Sequence, residues 1–219
     1  MNMIRSSRTF SKLMSLLCTG IVVLTACGSV AGKFSISQLQ EQPLSLPVHV
    51  FQQSRPTSCG EAVIAMTYNF FHPDAPLTEQ EVIDYALEND YFDEAVSPFT
   101  SPANMVKIAK HYSEDVSSGT VSTPERGLDL LFDNLRRGVP VVIDVLSNFS
   151  DPESEAHFIV VTGMSVDSNR ENAVLIHYND PLTGTQETGD WLGAQGVWNA
   201  WITNNDPGGP GWWLVIPPQ

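Results

Sequence analysis

Cysteine is scarce in this sequence. The 219-residue chain holds three, and two of them, Cys18 and Cys27, fall within its first 27 residues. Cys59 stands alone in the remainder. Once the leading segment is removed, an intramolecular disulfide and a cysteine-rich zinc site are both excluded. Basic residues are few as well: 11 Lys and Arg face 25 Asp and Glu, a net charge of −14. Such a surface repels nucleic acid and anionic lipid faces, so nucleic acid is not an expected partner. Long apolar runs are missing, since the longest, from about Leu13 to Leu24, is too short for a comfortable membrane span. There is no internal repeat. The acidic stretch from Asp74 to Glu88 lacks calcium-loop spacing and reads as a solvated helix face. Nothing in the chain calls for a cofactor or a metal.

What is present begins with an export signal. Residues 1–27 open with Arg5, Arg8 and Lys12 and no acid, continue with the short apolar run, and end in Leu24-Thr25-Ala26-Cys27. That ending resembles a bacterial lipobox. The resemblance implies that Cys27 is lipidated and becomes the first mature residue, anchoring the protein to a membrane of the bacterial cell envelope. Gly28 in place of Asp favours the outer membrane or cell surface by the same analogy. Residues 28–45 read as a linker, and 46–219 as one domain with a single substantial core.

Helix signals dominate the first part of that domain. Residues 46–53 alternate well enough for a short strand. From Cys59 to about Phe70, Ala62, Val63, Met66 and Phe70 recur at helical steps. Thr78 and Glu81 make a capping box. Ser101-Pro102 and Thr123-Pro124 each open a helix with a capping hydroxyl and a proline at the first position, and Gly138 closes the latter. The character then changes. Residues 139–146, 157–164, 173–180 and 211–217 are β-branched or apolar runs that read as strands. Helices first and an antiparallel sheet later make an α+β domain. The five tryptophans cluster near the end and read as core.

Cys59 sits where the helix should begin, flanked by Ser58 and Gly60. A helix N-terminus stabilises a thiolate, the nucleophilic form of cysteine. A thiolate needs a base, usually histidine. Of five histidines, His49, His72 and His111 have no evident partner, and His177 lies inside a strand. His157 opens a buried strand. If residues 157–164 pair with 173–180 about a turn between Ser168 and Asn169, His157 lies opposite Asp180, close enough for a carboxylate to hold the ring. A one-residue slip substitutes Asn179. Gln53 lies a turn before the helix, where its amide can donate to an oxyanion; Gln52 remains an alternative.

The stretch Gln53 to Ala62, with "GVPVVIDV", "AHFIVVTGM" and "IHYNDPLTG", resembles papain-like cysteine peptidases. Within that clan it is similar to the bacteriocin-processing, double-glycine peptidase group and its stand-alone relatives. The resemblance implies a papain-like fold with N-terminal helices packed on a C-terminal antiparallel sheet. It also implies roles: Gln53 at the oxyanion, Cys59 as nucleophile, His157 as base and Asp180 as orienting residue. It covers roughly residues 48–184. The transporter to which well-studied members are fused is not represented in this sequence, so leader cleavage after double glycine is not carried over. The expected function is an exported, lipid-anchored cysteine peptidase acting on a protein or peptide. A cell-wall peptide amide hydrolase with the same residues, and a catalytically silent binding lipoprotein, are the alternatives.

Overall fold

The computed structural model describes residues 33–218; the signal segment and Cys27 lie outside the described residues. The elements follow in chain order. They are α1 (Ile36–Glu41), β1 (Leu44–Ser45), α2 (Cys59–Phe71), α3 (Glu79–Glu88), α4 (Pro102–Tyr112), β2 (Ser117–Thr120) and α5 (Pro124–Arg136). Then come β3 (Val141–Leu146), β4 (Ala156–Val166), β5 (Val174–Asp180), β6 (Thr185–Asp190), α6 (Val197–Ile202) and β7 (Trp212–Val215). The strands form one antiparallel sheet in the order β2-β7-β3-β4-β5-β6, with β1 added on β4.

Capping explains where the helices start. Thr78 accepts from the Glu81 amide while the Glu81 carboxylate accepts from the Thr78 amide. Ser101 and Thr123 accept from the amides of Asn104 and Arg126, each with proline at the first turn. Gly138, at φ +78°, ends α5.

Alternation along β3 sends Val141, Ile143 and Val145 into a core shared with α5 and α6, and Val142 into one shared with α2, α3 and α4. The sheet therefore carries helices on both faces. The expected α+β architecture, with early helices on a later antiparallel sheet, holds for α2 to α4. Placing α5 and α6 on the opposite face was beyond the sequence pattern. Trp191 and Trp201 are fully buried in the α5–α6 core, and none of the five tryptophans lines the cleft beside Cys59.

Two expectations need correction, and one strand went unread. The described part of the expected linker, 28–45, is structured from Phe34 onward. Phe34 donates its amide to Asp129 at 2.7 Å, and Leu39 on α1 is fully buried. A six-residue helix has no stability of its own; burying Leu39, worth about 2 kcal/mol, holds it in place. Residues 46–53 form no strand, and the paired residues are Leu44 and Ser45. The polar segment Thr185–Asp190, which the sequence pattern assigns to no element, is the edge strand β6; its apolar content was too low to signal burial.

Candidate functional site

Cys59 is the first residue of α2. The first amides of a helix have no partner within it, so this end presents free donors and partial positive charge beside the sulfur. Ser58 precedes it but does not cap the helix. Its hydroxyl donates instead to Glu79 Oε1 at 2.6 Å. The same carboxylate accepts from the Ser54 amide at 3.0 and 2.9 Å. Glu79 thus ties the loop from Ser54 to Ser58 onto α3, fixing where Cys59 emerges. The sequence pattern assigned Glu79 to a solvated face. It is buried, and nothing local in the sequence signals a partner more than twenty residues away.

His157 and Asp180 come from neighbouring strands. Nε2 of His157 lies 2.7 Å from Asp180 Oδ1. The expected register, with the two directly opposite, is not the one observed. Val160 pairs with Asn179 and Val161 with Tyr178, while a bulge before Gly163 shifts the pairing to Gly163 with His177. Continuing the Val160–Asn179 register puts Ile159 opposite Asp180, so His157 is its diagonal neighbour. The difference from the expected pairing is two residues, and strand side chains alternate with period two. The pair therefore stays on one face, and the diagonal spacing is within reach of long side chains. Asn179 lies on the other face, where its amide donates to Val48 O at 3.0 Å. His177 also points away, to Ser165 and Thr188.

The ring of His157 also interacts with the Cys59 side chain. With Nε2 committed to Asp180, Nδ1 is the nitrogen left to serve sulfur. Burial opposes charge on this imidazole, but the bond to Asp180 and then the interaction with Cys59 outweigh it and push its pKa up to about 10. Burial likewise opposes ionisation of Asp180. The bond to His157 and the Leu182 amide, 2.8 Å from Oδ1, hold its carboxyl below the usual range. The pair therefore favours a protonated imidazole against an ionised Asp180.

The "DPLTG" turn joins the two halves of the site. Gly184 donates to Asp180 O at 2.9 Å, and Gln53 donates its amide to Pro181 O at 2.8 Å. Gly184 has φ +70°, and a Cβ there would lie 2.8 Å from Gln52 Cβ and 3.0 Å from Gln52 N. Only glycine lets the turn close on the Gln52–Gln53 backbone. The Gln52 side chain reaches Leu182 O instead of the cleft. Gln53 Nε2 donates to Arg55 O at 2.8 Å and Pro56 O at 3.0 Å, and its Oε1 is buried without a partner. In this state the Gln53 amide braces the loop and makes no bond to Cys59.

The cleft beside Cys59 is lined by Gly60 and Phe158, by Ser97 to Thr100, and by Glu155, Ala156 and Asp206. Burial pushes the Asp206 carboxyl up to about 6. Two more carboxyls lie behind the walls. Glu61 accepts from Thr100 at 2.7 Å and is pushed up to about 7 by burial. Asp144 is raised well above the ordinary range by burial and by Asp206. An acid within the apolar run "VVIDVL" was a legible signal, because a fully buried Asp is rare without a partner. Among the described residues, no three His, Cys, Asp or Glu side chains are arranged to hold a metal ion, and no helix is long and apolar enough to cross a membrane.

A free cysteine, an imidazole and a carboxylate thus meet at the start of a helix packed on an antiparallel sheet. No curated protein matches the sequence significantly. A family model does, over residues 45–206, a span that takes in Gln53, Cys59, His157 and Asp180. The chain belongs to the Peptidase_C39 like family, of the cysteine-peptidase kind.

Proposed function

We propose that the protein hydrolyses peptide bonds with Cys59 as nucleophile, His157 as acid and base, and Asp180 as the residue that orients the ring. The observation that carries this reading is the His157 imidazole, bonded to Asp180 at 2.7 Å and interacting with the Cys59 side chain. The Cys59 thiolate attacks the scissile carbonyl carbon, forming a C–S bond and an oxyanion. His157 Nδ1–H protonates the departing amine as the C–N bond breaks, leaving a thioester. Water then attacks the thioester, His157 takes its proton, and the thiolate leaves with release of the acid. The Cys59 amide and the Gln53 side chain are the oxyanion donors in this scheme. For Gln53 that requires exchanging one of its two loop carbonyls for the substrate oxygen.

The lipobox-like Leu24 to Cys27 supports an envelope location with a lipid on Cys27. The substrate in this reading is a protein or peptide outside the cytoplasm. Partitioning of the full-length protein into a detergent phase, lost in Cys27→Ala, tests the anchor. Incubation with casein and with purified peptidoglycan tests the chemistry. Casein cleavage by the wild type, absent in Cys59→Ala with its unfolding midpoint kept within a few degrees, is expected. Release of wall fragments alone refutes the peptidase reading in favour of an amide hydrolase. A large loss of stability in Cys59→Ala, with no activity in the wild type, returns Cys59 to a packing role.

A further inference from the structure

One wall of the Cys59 cleft is a loop held by one buried bond and one exposed one. Residues 93–100 lie between α3 and α4, and Ser97 to Thr100 line the cleft. The loop closes on itself. Asp93 donates its amide to Phe99 O at 2.9 Å, and Asp93 Oδ1 accepts from the Ala95 amide at 2.8 Å. Such a compact loop shifts as a unit. Its place relative to Cys59 is set from outside. Thr100 donates to Glu61 Oε1 at 2.7 Å, a buried bond to the first turn of α2. Glu94 pairs with Arg55, and this contact is wet, the side chains being 50% and 29% exposed. Residues 93–97 are all exposed, so no core packing duplicates what the ion pair does.

The other end of that ion pair stands on a firm base. Arg55 belongs to the turn that delivers Cys59. Its amide donates to Ser58 Oγ at 3.2 Å, and its carbonyl accepts from Ser58 Oγ at 3.1 Å and from Gln53 Nε2 at 2.8 Å. Glu79 pins the same turn to α3 through Ser54 and Ser58. Gly60, Ala156 and Phe158, which also line the cleft, sit on α2 and β4. Regular elements hold those residues in place, so residues 97–100 are the part of the lining that can give. With Thr100 fixed to α2, the Glu94 end governs how far Ser97, Pro98 and Phe99 lean into the cleft.

We propose that Arg55 and Glu94 are positioning residues that set the width of the cleft, so that their ion pair limits the size of the substrate side chain admitted beside Cys59. This rests on the reading of Cys59 as nucleophile and adds a size limit under electrostatic control.

The test uses the folded protein and peptidyl acyloxymethyl ketones that label a nucleophilic cysteine. Ala, Leu or Phe is placed in turn at each of the two positions preceding the reactive group, and saturation kinetics separate probe binding from the labelling step. At one position the Phe-to-Ala ratio of labelling efficiencies should rise about two- to fivefold in Glu94→Gln and in Arg55→Gln, the range an exposed ion pair supports. The change should sit in probe binding. The exchanged pair, Arg55→Glu with Glu94→Arg, should bring the ratio back toward wild type. Salt at about 1 M screens an exposed pair, so the wild-type ratio should rise toward that of Glu94→Gln, with a smaller change in the variant. A loop that only adds stability would shift the unfolding midpoint and leave the ratio alone. An unchanged ratio in Glu94→Gln, with Cys59 still labelled, overturns the size control and spares the nucleophile. A salt effect equal in wild type and Glu94→Gln overturns the ion pair as its cause. No labelling of Cys59 by any probe overturns the nucleophile and this inference with it.

Discussion

Replacing Asp180 with asparagine isolates what its charge does. Asparagine has the same size, and its Oδ1 still accepts from His157 Nε2–H and from the Leu182 amide. Only the negative charge goes. A hydrogen bond to a charged partner is worth about 1.5–3 kcal/mol against about 1 kcal/mol for a neutral one. Losing an adjacent opposite charge moves a pKa by roughly 1–3 units. Burial opposes the charge on His157, and the Asp180 bond is the first of the interactions that raise its pKa to about 10. In Asp180→Asn the alkaline limb of kcat/KM against pH should therefore fall from near 10 to roughly 7–9. The pH dependence of Cys59 alkylation by iodoacetamide should move with it. Stability follows a sign of its own. A raised histidine pKa contributes fully below 6.5, its unfolded value, and the contribution is lost as pH rises through about 10. The lowered carboxyl of Asp180 contributes above its unfolded value of 3.8 and loses that as pH falls. The wild type should exceed the variant most between about pH 4 and 6.5, with the gap closing toward 10. An alkaline limb that stays in place in Asp180→Asn refutes an electrostatic role and leaves Asp180 only a geometric one.

Glu79→Ala strips the acceptor from the Ser54 amide and the Ser58 hydroxyl. It should cost about 3 kcal/mol in urea unfolding and slow Cys59 alkylation as the loop relaxes; a loss under about 0.5 kcal/mol would show the loop to be held by other means. Gln53→Ala should lower kcat roughly 10²–10³-fold with little change in KM. An unchanged kcat would confine Gln53 to bracing Arg55 and Pro56.

The chemistry was more legible in the sequence than the path by which the chain brings it together. Helix starts could be read because capping is local: Thr78 with Glu81, and Ser101 and Thr123 before proline, each act within one turn. The strands β3, β4 and β5 were legible from β-branched content, and β6 was not, because a polar edge strand carries no burial signal. The register of β4 on β5 could not be counted from the turn, since a bulge inside β4 adds a residue that no composition marks. The His157–Asp180 pairing tolerated that error because the net slip was even. Long-range bonds left no trace at all. Glu79 to Ser58, Gln53 to Pro181 and Asn179 to Val48 each join segments whose sequences are unremarkable alone.

The buried acids around the cleft imply a direction for the whole molecule's response to pH. Burial raises Glu61 to about 7 and Asp206 to about 6. A carboxyl whose folded pKa is raised contributes stability fully below its unfolded value and loses it as pH rises through the folded one. For Glu61 that loss runs from 4.5 to about 7, and for Asp206 from 3.8 to about 6. The His157 contribution fades from 6.5 to about 10, in the same direction. Repulsion among 25 acidic residues adds to it as they ionise. Against these stands the lowered carboxyl of Asp180, which resists only acidification. The thermal midpoint should therefore peak near about pH 5 and decline toward 9. Glu61→Gln keeps an acceptor for Thr100 and cannot ionise, so it should flatten the part of the decline between 5 and 7. A midpoint that climbs steadily from pH 5 to 9 would mean that these carboxyls are solvated or paired in solution, and burial would not be what raises them.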